Sequence, residues 1–240
     1  MKVNMKGIIF ACLMLALLLT GCSSDTSGTD ESNNTANNNS NEEATSEESS
    51  DGGDLRIAIS AQPPTLDTHL TTTTVALDVT RNIFETLLAA NAQHEPTPVL
   101  AESIEEGEDG LTYTFKLREG VMFHNGKEMT SEDVEASMNR WLEQSARAKM
   151  LLDGATFEAD DTYTVVLTLP ERAADVLDIM AGRGQFPAIM PKEVIESATE
   201  EGVQEFIGTG PFKFEEWRQD QYIHLVKFDD YKPVDGEPSG

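Results

Sequence analysis

The chain has 240 residues, of which 43 are acidic and 17 are lysine or arginine, so its net charge at pH 7 is −26. A surface this acidic repels nucleic acids and anionic lipid headgroups, which excludes DNA and RNA as partners. The acidity fits either a solubility adaptation to salty or alkaline surroundings or an attraction of cationic ligands. The only cysteines are Cys12 and Cys22, so the rest of the chain offers no disulfide, thiolate nucleophile or cysteine-based metal site.

The N-terminus has the composition of a targeting segment. Residues 1–21 combine a short basic start with an apolar run that is too short to span a bilayer, which predicts a signal peptide. The sequence Leu-Thr-Gly before Cys22 is similar to the bacterial lipoprotein signal, and this similarity implies a lipid anchor on Cys22. An ordinary secretory signal is the alternative. Residues 22–53 are acidic and rich in Ser and Asn, which predicts a disordered tether. An adhesive or glycosylated stalk is the weaker alternative.

The folded part is expected to start at Asp54. Apolar residues alternate over 55–59, which predicts a strand, and Gln62–Asp67 is a proline-containing extended loop. A run of four threonines follows at Thr71, Thr72, Thr73 and Thr74, and it suits a loop that caps the next helix. The apolar spacing over 75–88 predicts that helix.

The stretch from Leu111 to Arg140 has the clearest local pattern in the chain. Apolar residues alternate over 111–117 as in a half-buried strand, and Asn125-Gly126 favours a tight turn. Thr130 then suits the N-cap of a helix, whose apolar face would comprise Val134, Met138, Trp141 and Leu142.

The second half of the chain continues with alternating elements. The patterns predict strands over 163–169, about 212–217 and 222–228, helices over 173–180 and 191–197, and turns at 160–161 and 208–211.

No set of residues in the sequence has the spacing of a catalytic or metal site. The histidines are isolated, no nucleophile or phosphate-loop motif is present, and adjacent acids are expected by chance at this acidity. We therefore predict no enzyme activity, no cofactor and no metal. A lipid-anchored hydrolase that uses its acids is the alternative from another class. The four histidines are His69, His94, His124 and His224.

Several motifs, in order, resemble family 5 solute-binding proteins of ABC importers, the oligopeptide, dipeptide and nickel-binding group. Residues 62–67 are similar to the family's Pro-x-x-Leu-Asp-Pro, with Thr68 in place of the last proline. Residues 111–134 are similar to its signature block. Further matches are Phe84-Glu85-Thr86-Leu87-Leu88, residues 98–103, Gly208-Thr209-Gly210-Pro211-Phe212 with Trp217, and Asp230-Tyr231.

The resemblance implies an α/β fold of the periplasmic-binding-protein type II class, two-lobed, with an extra domain inserted in lobe I. Residues 54–84 and 192–240 would belong to lobe I, and residues 85–191 would form the inserted domain. The family is longer than this chain, so the second lobe is expected to be absent from it, through truncation or separate encoding.

The resemblance also implies a function. The protein would be the membrane-anchored, extracellular binding component of an ABC importer, capturing oligopeptides for a permease as a monomer. It would lie on the outer face of the cell membrane, in the periplasmic space if the cell is Gram-negative. Thr71–Thr74 would run beside the ligand, although helix capping alone could explain them. Alternatives are a nickel chelate, an oligosaccharide or an opine as ligand, or a truncated surface lipoprotein that binds nothing.

Overall fold

The computed structural model describes residues 53–182, 184 and 186–234. The predicted signal peptide, Cys22 and all of the predicted tether except Gly53 lie outside the described residues. From Arg56 onward the described residues group into one compact unit, so the division into lobe I and an inserted domain stays a prediction.

The helices and strands of the described residues alternate along the chain. In order they are α1 (Thr74–Thr80), β1 (Leu88–Ala90), β2 (Pro96–Pro98), β3 (Ala101–Glu106), β4 (Thr112–Leu117), α2 (Ser131–Gln144), α3 (Ala146–Leu151), β5 (Thr156–Asp161), β6 (Thr164–Thr168), α4 (Val176–Ala181), α5 (Lys192–Glu196), β7 (Phe212–Arg218) and β8 (Tyr222–Lys227).

The largest sheet has four antiparallel strands in the order β3-β4-β6-β5. The alternation predicted for residues 111–117 is confirmed in β4, where Tyr113, Phe115 and Leu117 are buried on one face. β4 is hydrogen-bonded to a strand on each side, which leaves no free edge along it. The strand predicted over 163–169 is β6.

Helix α2 covers the buried face of this sheet. It starts after Thr130, as the sequence predicts, and Asp133 accepts hydrogen bonds of 3.0 Å from both the backbone nitrogen and the hydroxyl of Thr130. The four apolar residues of the predicted face are all buried. Together with the sheet, they form what we call the large core, whose members lie between Leu87 and Ile189.

A second apolar cluster, which we call the small core, lies beside the antiparallel pair β7-β8. It consists of Ile83, Phe84, Ala188, Met190, Val194 and Val203. Both strands of the pair were predicted, but none of their residues is fully buried. Phe214 and Leu225 pack against the small core while remaining partly exposed.

The helix predicted over 75–88 is too long. α1 ends at Thr80, because the backbone oxygens of Asn82 and Ile83 accept hydrogen bonds from the nitrogens of Phe212 and Gly210, at 3.0 and 2.9 Å. The apolar residues that suggested a longer helix are still buried, so periodicity alone did not distinguish helix from buried loop.

The strand predicted over 55–59 is also wrong. The segment pairs with no strand of the described residues, and the side chains of Leu55, Ile57 and Ile59 are 82%, 75% and 42% exposed. A strand needs a hydrogen-bonded neighbour, and no described segment supplies one here.

Smaller differences concern the short elements. β1, β2, β3 and α3 were not predicted as elements. The turn predicted at residues 160–161 comes at 162–163, because β5 continues through Asp161.

Candidate ligand-facing site

The predicted ligand segment Thr71–Thr74 lies where a loop enters α1. Thr71 is buried, whereas the next three threonines are exposed. Thr73 occupies the N-cap position, but its side chain makes no capping hydrogen bond. Instead the hydroxyls of Thr71 and Thr73 lie 3.1 Å apart, and the Thr71 hydroxyl accepts a bond from the Thr73 backbone nitrogen. Side-chain capping by Thr73 therefore does not account for these threonines, and their role toward a ligand stays a prediction.

A buried group of three polar side chains, which we call the Asp67 cluster, holds the loop before these threonines. Arg140 of α2 donates two hydrogen bonds to the carboxylate of Asp67, one of 3.0 Å to Oδ1 and one of 2.6 Å to Oδ2. Nη1 of Arg140 is also 3.0 Å from Nδ1 of His69. Asp67 and His69 are fully buried, and the Arg140 side chain is 10% exposed.

Two further segments bind this cluster through their backbones. The nitrogen of Val203 donates a 2.9 Å bond to Oδ2 of Asp67, and Nε2 of His69 lies 3.0 Å from the carbonyl oxygen of Ala188. Because that carbonyl can only accept, His69 carries its proton on Nε2, and Nδ1 accepts from Arg140. The loop that contains Asp67 and His69 is thus bound by α2 and by the backbone at residues 188 and 203.

The pKa values follow from this burial and charge. Burial raises the pKa of the Asp67 carboxyl, but the effects that lower it, of which the Arg140 hydrogen bonds are the largest, outweigh burial, and the pKa lies below its usual range. Burial lowers the pKa of His69 to about 4, with the Arg140 charge adding to the effect and the Asp67 charge opposing it. At neutral pH the cluster is therefore an ion pair with a neutral imidazole.

Glu85 forms a second buried polar group. Its carboxylate accepts a 2.8 Å bond from the hydroxyl of Thr209 and a 3.1 Å bond from that of Tyr231. Burial raises the pKa of Glu85, while the two hydroxyls oppose the shift. Glu85, Thr209 and Tyr231 belong to three different family motifs, so these two hydrogen bonds join the three motifs.

His124 connects the turn at residues 125–126 to the loop at residues 208–211. Nε2 of His124 lies 2.9 Å from the carbonyl oxygen of Gly210, and Nδ1 accepts a 3.3 Å bond from the nitrogen of Gly208. Its ring meets that of Phe228 edge-on, with centroids 4.9 Å apart. Burial lowers the pKa of His124. Both ring nitrogens are therefore used within the fold.

Thr68, which stands where the family motif has proline, is fully buried. Its hydroxyl has no hydrogen-bond partner among the described residues. The substitution therefore places a polar atom where the family's residue has none, next to the Asp67 cluster.

An open cleft of about 600 Å³ borders the Asp67 cluster. The residues that line it include Leu70, Arg140, Glu143, Thr199 and Glu200. Within the part of the chain that the structure describes, no group of three or more His, Cys, Asp or Glu side chains could hold a metal ion. No helix in that part is long and apolar enough to cross a membrane.

Sequence reasoning did not find the Asp67 cluster. The sequence pattern left His69 as an isolated histidine and gave Arg140 no role. Asp67 belongs to the family motif at residues 62–67, whereas Arg140 lies six residues beyond the block at 111–134, so only Asp67 carried a signal. Nothing in local periodicity relates residues 73 positions apart.

The fold matches that of periplasmic binding proteins. AgaA from A. tumefaciens R10, solved with agropinic acid, is 33% identical with a TM-score of 0.63, covering 71% of this chain and 35% of AgaA. CtaP from Listeria monocytogenes, an ABC transporter substrate-binding protein, is 29% identical with a TM-score of 0.67. The match covers 76% of this chain and 38% of CtaP. The α/β fold class predicted from the sequence is therefore confirmed.

The family is established by the sequence as well. Residues 95–239 match the model for bacterial extracellular solute-binding proteins, family 5. This chain belongs to that family, as the motifs implied.

Two curated relatives extend the match. Oligopeptide-binding protein AppA of Bacillus subtilis is 28% identical over 239 residues, covering 94% of this chain and 41% of AppA. Glutathione-binding protein GsiB of Escherichia coli K12 is 29% identical, and the match covers 74% of this chain and 35% of GsiB. The chain thus spans about two fifths of the length of the curated relatives it matches.

Proposed function

We propose that this protein is the substrate-binding component of an ABC importer and that its ligands are peptides. The observation that carries the proposal is the match to AppA over 94% of the chain. The solved structure of AppA, with a TM-score of 0.61 to this chain, holds a nonapeptide. The protein would capture and deliver its ligand without transforming it, and an ABC permease would be its partner.

A non-peptide ligand is the second candidate. It is favoured by AgaA, which is somewhat more identical to this chain than the AppA structure is and was solved with agropinic acid. Peptides and agropinic acid differ in backbone length and in the number of amide groups, so a site built for one should discriminate against the other.

Calorimetry on the 240-residue chain separates these candidates. Nonapeptides, a pool of tri- to pentapeptides and agropinic acid are titrated separately at the same salt concentration. We expect heat from the peptides alone. Heat from agropinic acid alone would replace the peptide proposal with the second candidate. No heat from any ligand would overturn both for this chain and favour a lipoprotein that does not bind.

We propose further that Thr71–Thr74 face the ligand. Support comes from the exposure of the last three threonines and from the buried Asp67 cluster directly before them. An extended peptide would be held through its main chain, to which hydroxyl groups can donate and accept. Thr72→Val should weaken peptide binding about 5- to 10-fold, in line with the loss of one hydrogen bond. Thr168→Val, at an exposed threonine of β6, is the matched control and should leave binding unchanged.

The lipid anchor on Cys22 is a separate proposal, supported by the Leu-Thr-Gly-Cys sequence after the apolar run. The protein would then lie on the outer face of the membrane, held by the 22–53 tether. Expression in a bacterial host with labelled fatty acid should give a labelled, detergent-partitioning protein. Cys22→Ser should abolish the label and Cys12→Ser should not. Equal labelling of the two variants would contradict the anchor.

The proposed division into lobe I and an inserted domain is supported by the two cores. Members of the large core lie between Leu87 and Ile189, within the range 85–191. Four of the six members of the small core lie in the ranges assigned to lobe I, namely Ile83, Phe84, Val194 and Val203, whereas Ala188 and Met190 lie within 85–191. If the division is correct, hydrogen exchange at increasing urea concentration should show residues 85–191 losing protection in one step and residues 54–84 with 192–240 in another. Simultaneous loss of protection in both ranges would contradict it.

A further inference from the structure

The loop that precedes Thr71–Thr74 has very few charged groups to hold it. Between Arg56 and Asp78, Asp67 and His69 are the only ionisable residues in the sequence. Both are fully buried, and both contact the same guanidinium, that of Arg140. A buried carboxylate is stable only when its hydrogen-bonding capacity is used, so this contact is a condition for the loop's conformation.

Asp67 shapes the loop as well as binding Arg140. Its Oδ1 accepts a 3.1 Å bond from the backbone nitrogen of His69, and its carbonyl oxygen accepts a 3.1 Å bond from the nitrogen of Leu70. Asp67 therefore closes the turn at residues 67–70 through its carbonyl oxygen, while its carboxylate binds the His69 nitrogen and joins the turn to α2. The turn leads directly into Thr71, whose hydroxyl bonds the Thr73 nitrogen.

Close packing on the opposite side leaves Asp67 little room to move. A Cβ added to Gly202 would lie 2.7 Å from Oδ2 of Asp67 and 3.0 Å from Cδ1 of Leu70. The backbone at Gly202 also has a φ of 107°, which favours glycine. Glycine at this position thus allows Val203 to approach and donate its hydrogen bond to the carboxylate.

From these contacts we infer that Arg140 is a positioning residue for the Thr71–Thr74 segment, acting through Asp67 and His69. The fork of its guanidinium sets the carboxylate and the imidazole at once, and these two set the turn from which the threonines emerge. Lysine has the same charge but no planar fork, so it cannot make the three contacts together. The inference rests on the proposed function only for the statement that the threonines face a ligand.

Hydrogen exchange of the 240-residue chain, read by mass spectrometry without any ligand, tests the positioning directly. In Arg140→Lys we expect the backbone amides of residues 68–76 to exchange at least tenfold faster, while those of β4 keep the wild-type rate. Thr209→Val, which removes the 2.8 Å bond to buried Glu85, is the control for loss of a buried bond elsewhere. It should leave residues 68–76 unchanged.

A purely structural role would give a different result. Equal acceleration at residues 68–76 and in β4, or no acceleration at all, would overturn the inference. If Arg140→Lys does not fold, Asp67→Asn tests the same contact, because it keeps the shape of the side chain and removes its charge. The same local acceleration is expected there, and the same null result would count against the inference.

Peptide titration of the same variants separates this inference from the proposed function. Arg140→Lys should weaken peptide binding together with faster exchange, whereas Thr72→Val should weaken binding with no change in exchange. Local acceleration in a chain that binds no peptide would support the positioning role and overturn the proposed ligand. Unchanged peptide binding in Arg140→Lys, despite faster exchange, would overturn the link between the loop and the ligand.

Discussion

The large core and the small core are stabilised in different ways. In the large core, β4 has a strand on each side and contributes three buried side chains. Beside the small core, the β7-β8 pair has no third strand among the described residues. None of the residues of these two strands is fully buried. A two-stranded pair gains little from burial alone and is marginal by itself.

Buried polar contacts stabilise the loops beside the small core, where the burial of β7 and β8 contributes less. The loop beside the small core is held by the ion pair between Asp67 and Arg140, and the 208–211 loop by His124 and Glu85. Binding segments are commonly drawn from the less stable parts of a protein. The stretch from Leu111 to Arg140, which contains the family's signature block, supplies both β4 and α2 to the large core, and its last residue, Arg140, also binds the loop that precedes the proposed ligand segment.

The largest effect is expected from the large core. Phe115 is fully buried in β4, and Phe115→Ala should lower the free energy of unfolding by about 3–5 kcal/mol, through lost burial and the cavity left behind. Phe212→Ala, at a phenylalanine of β7 that is 39% exposed, should cost less than about 1 kcal/mol. Urea denaturation followed by circular dichroism measures both. Equal losses of unfolding free energy in the two variants would contradict the expected difference between the large core and the β7-β8 pair.

The small core should respond more weakly to a comparable deletion. Met190 is fully buried there, and Met190→Ala should cost about 2–3 kcal/mol, the lower part of the usual range, because the β7-β8 pair can move to fill the space. Met150→Ala, at a methionine of α3 that is 74% exposed, is the matched control and should cost almost nothing. A loss at Met190 as large as that at Phe115 would show that the small core is packed as tightly as the large one.

Acidification should loosen the small-core side first. The folded pKa values of His69 and His124 lie below the unfolded value of 6.5, so the stability from their neutral forms is complete above pH 6.5 and is lost as pH falls toward the folded values. With a folded pKa of about 4, His69 alone should cost about 2 kcal/mol between pH 7 and pH 5. Glu85 acts in the opposite direction, because its raised pKa makes its charged form costly as pH rises.

Hydrogen exchange at pH 7 and pH 5, corrected for intrinsic rates, locates this effect. Residues 66–76 and 208–228 should lose protection while β4 and β6 keep theirs. Uniform loss of protection across both cores would contradict the assignment to the Asp67 cluster and His124.

A gain in stability is expected at Thr68. Its buried hydroxyl has no partner among the described residues, so Thr68→Val should remove an unsatisfied polar atom at nearly constant volume and raise the free energy of unfolding by about 1 kcal/mol. Thr80→Val is the contrasting variant, because the Thr80 hydroxyl is buried but donates a 2.8 Å bond to the carbonyl oxygen of Ala76. A loss at Thr68 equal to that at Thr80 would mean that the Thr68 hydroxyl is satisfied.

The smallest effect is expected at the exposed segment 55–59. Ile57 is 75% exposed, so Ile57→Thr should change the free energy of unfolding by less than about 0.5 kcal/mol. Leu66→Ala, at a leucine a few residues later that is fully buried, should cost about 2–5 kcal/mol. A loss above 1 kcal/mol at Ile57 would show that this segment is covered in solution.

The sequence by itself determined the family and the elements whose patterns are local. β4, β6, α2 and the β7-β8 pair follow from alternation or helical spacing between near neighbours, because a side chain's direction repeats with the period of its own element. The capping pair Thr130 and Asp133 is local for the same reason.

Only the tertiary structure decided the end of α1, the exposure of residues 55–59 and the Asp67 cluster. α1 ends where carbonyl oxygens of residues 82–83 meet nitrogens of residues 210–212, and Asp67 meets Arg140 across 73 positions. Such contacts depend on which distant segment the fold brings near, and no periodicity encodes that distance. The threonines could be selected from the sequence, whereas the contact between the loop before them and the Arg140 guanidinium of α2 could not.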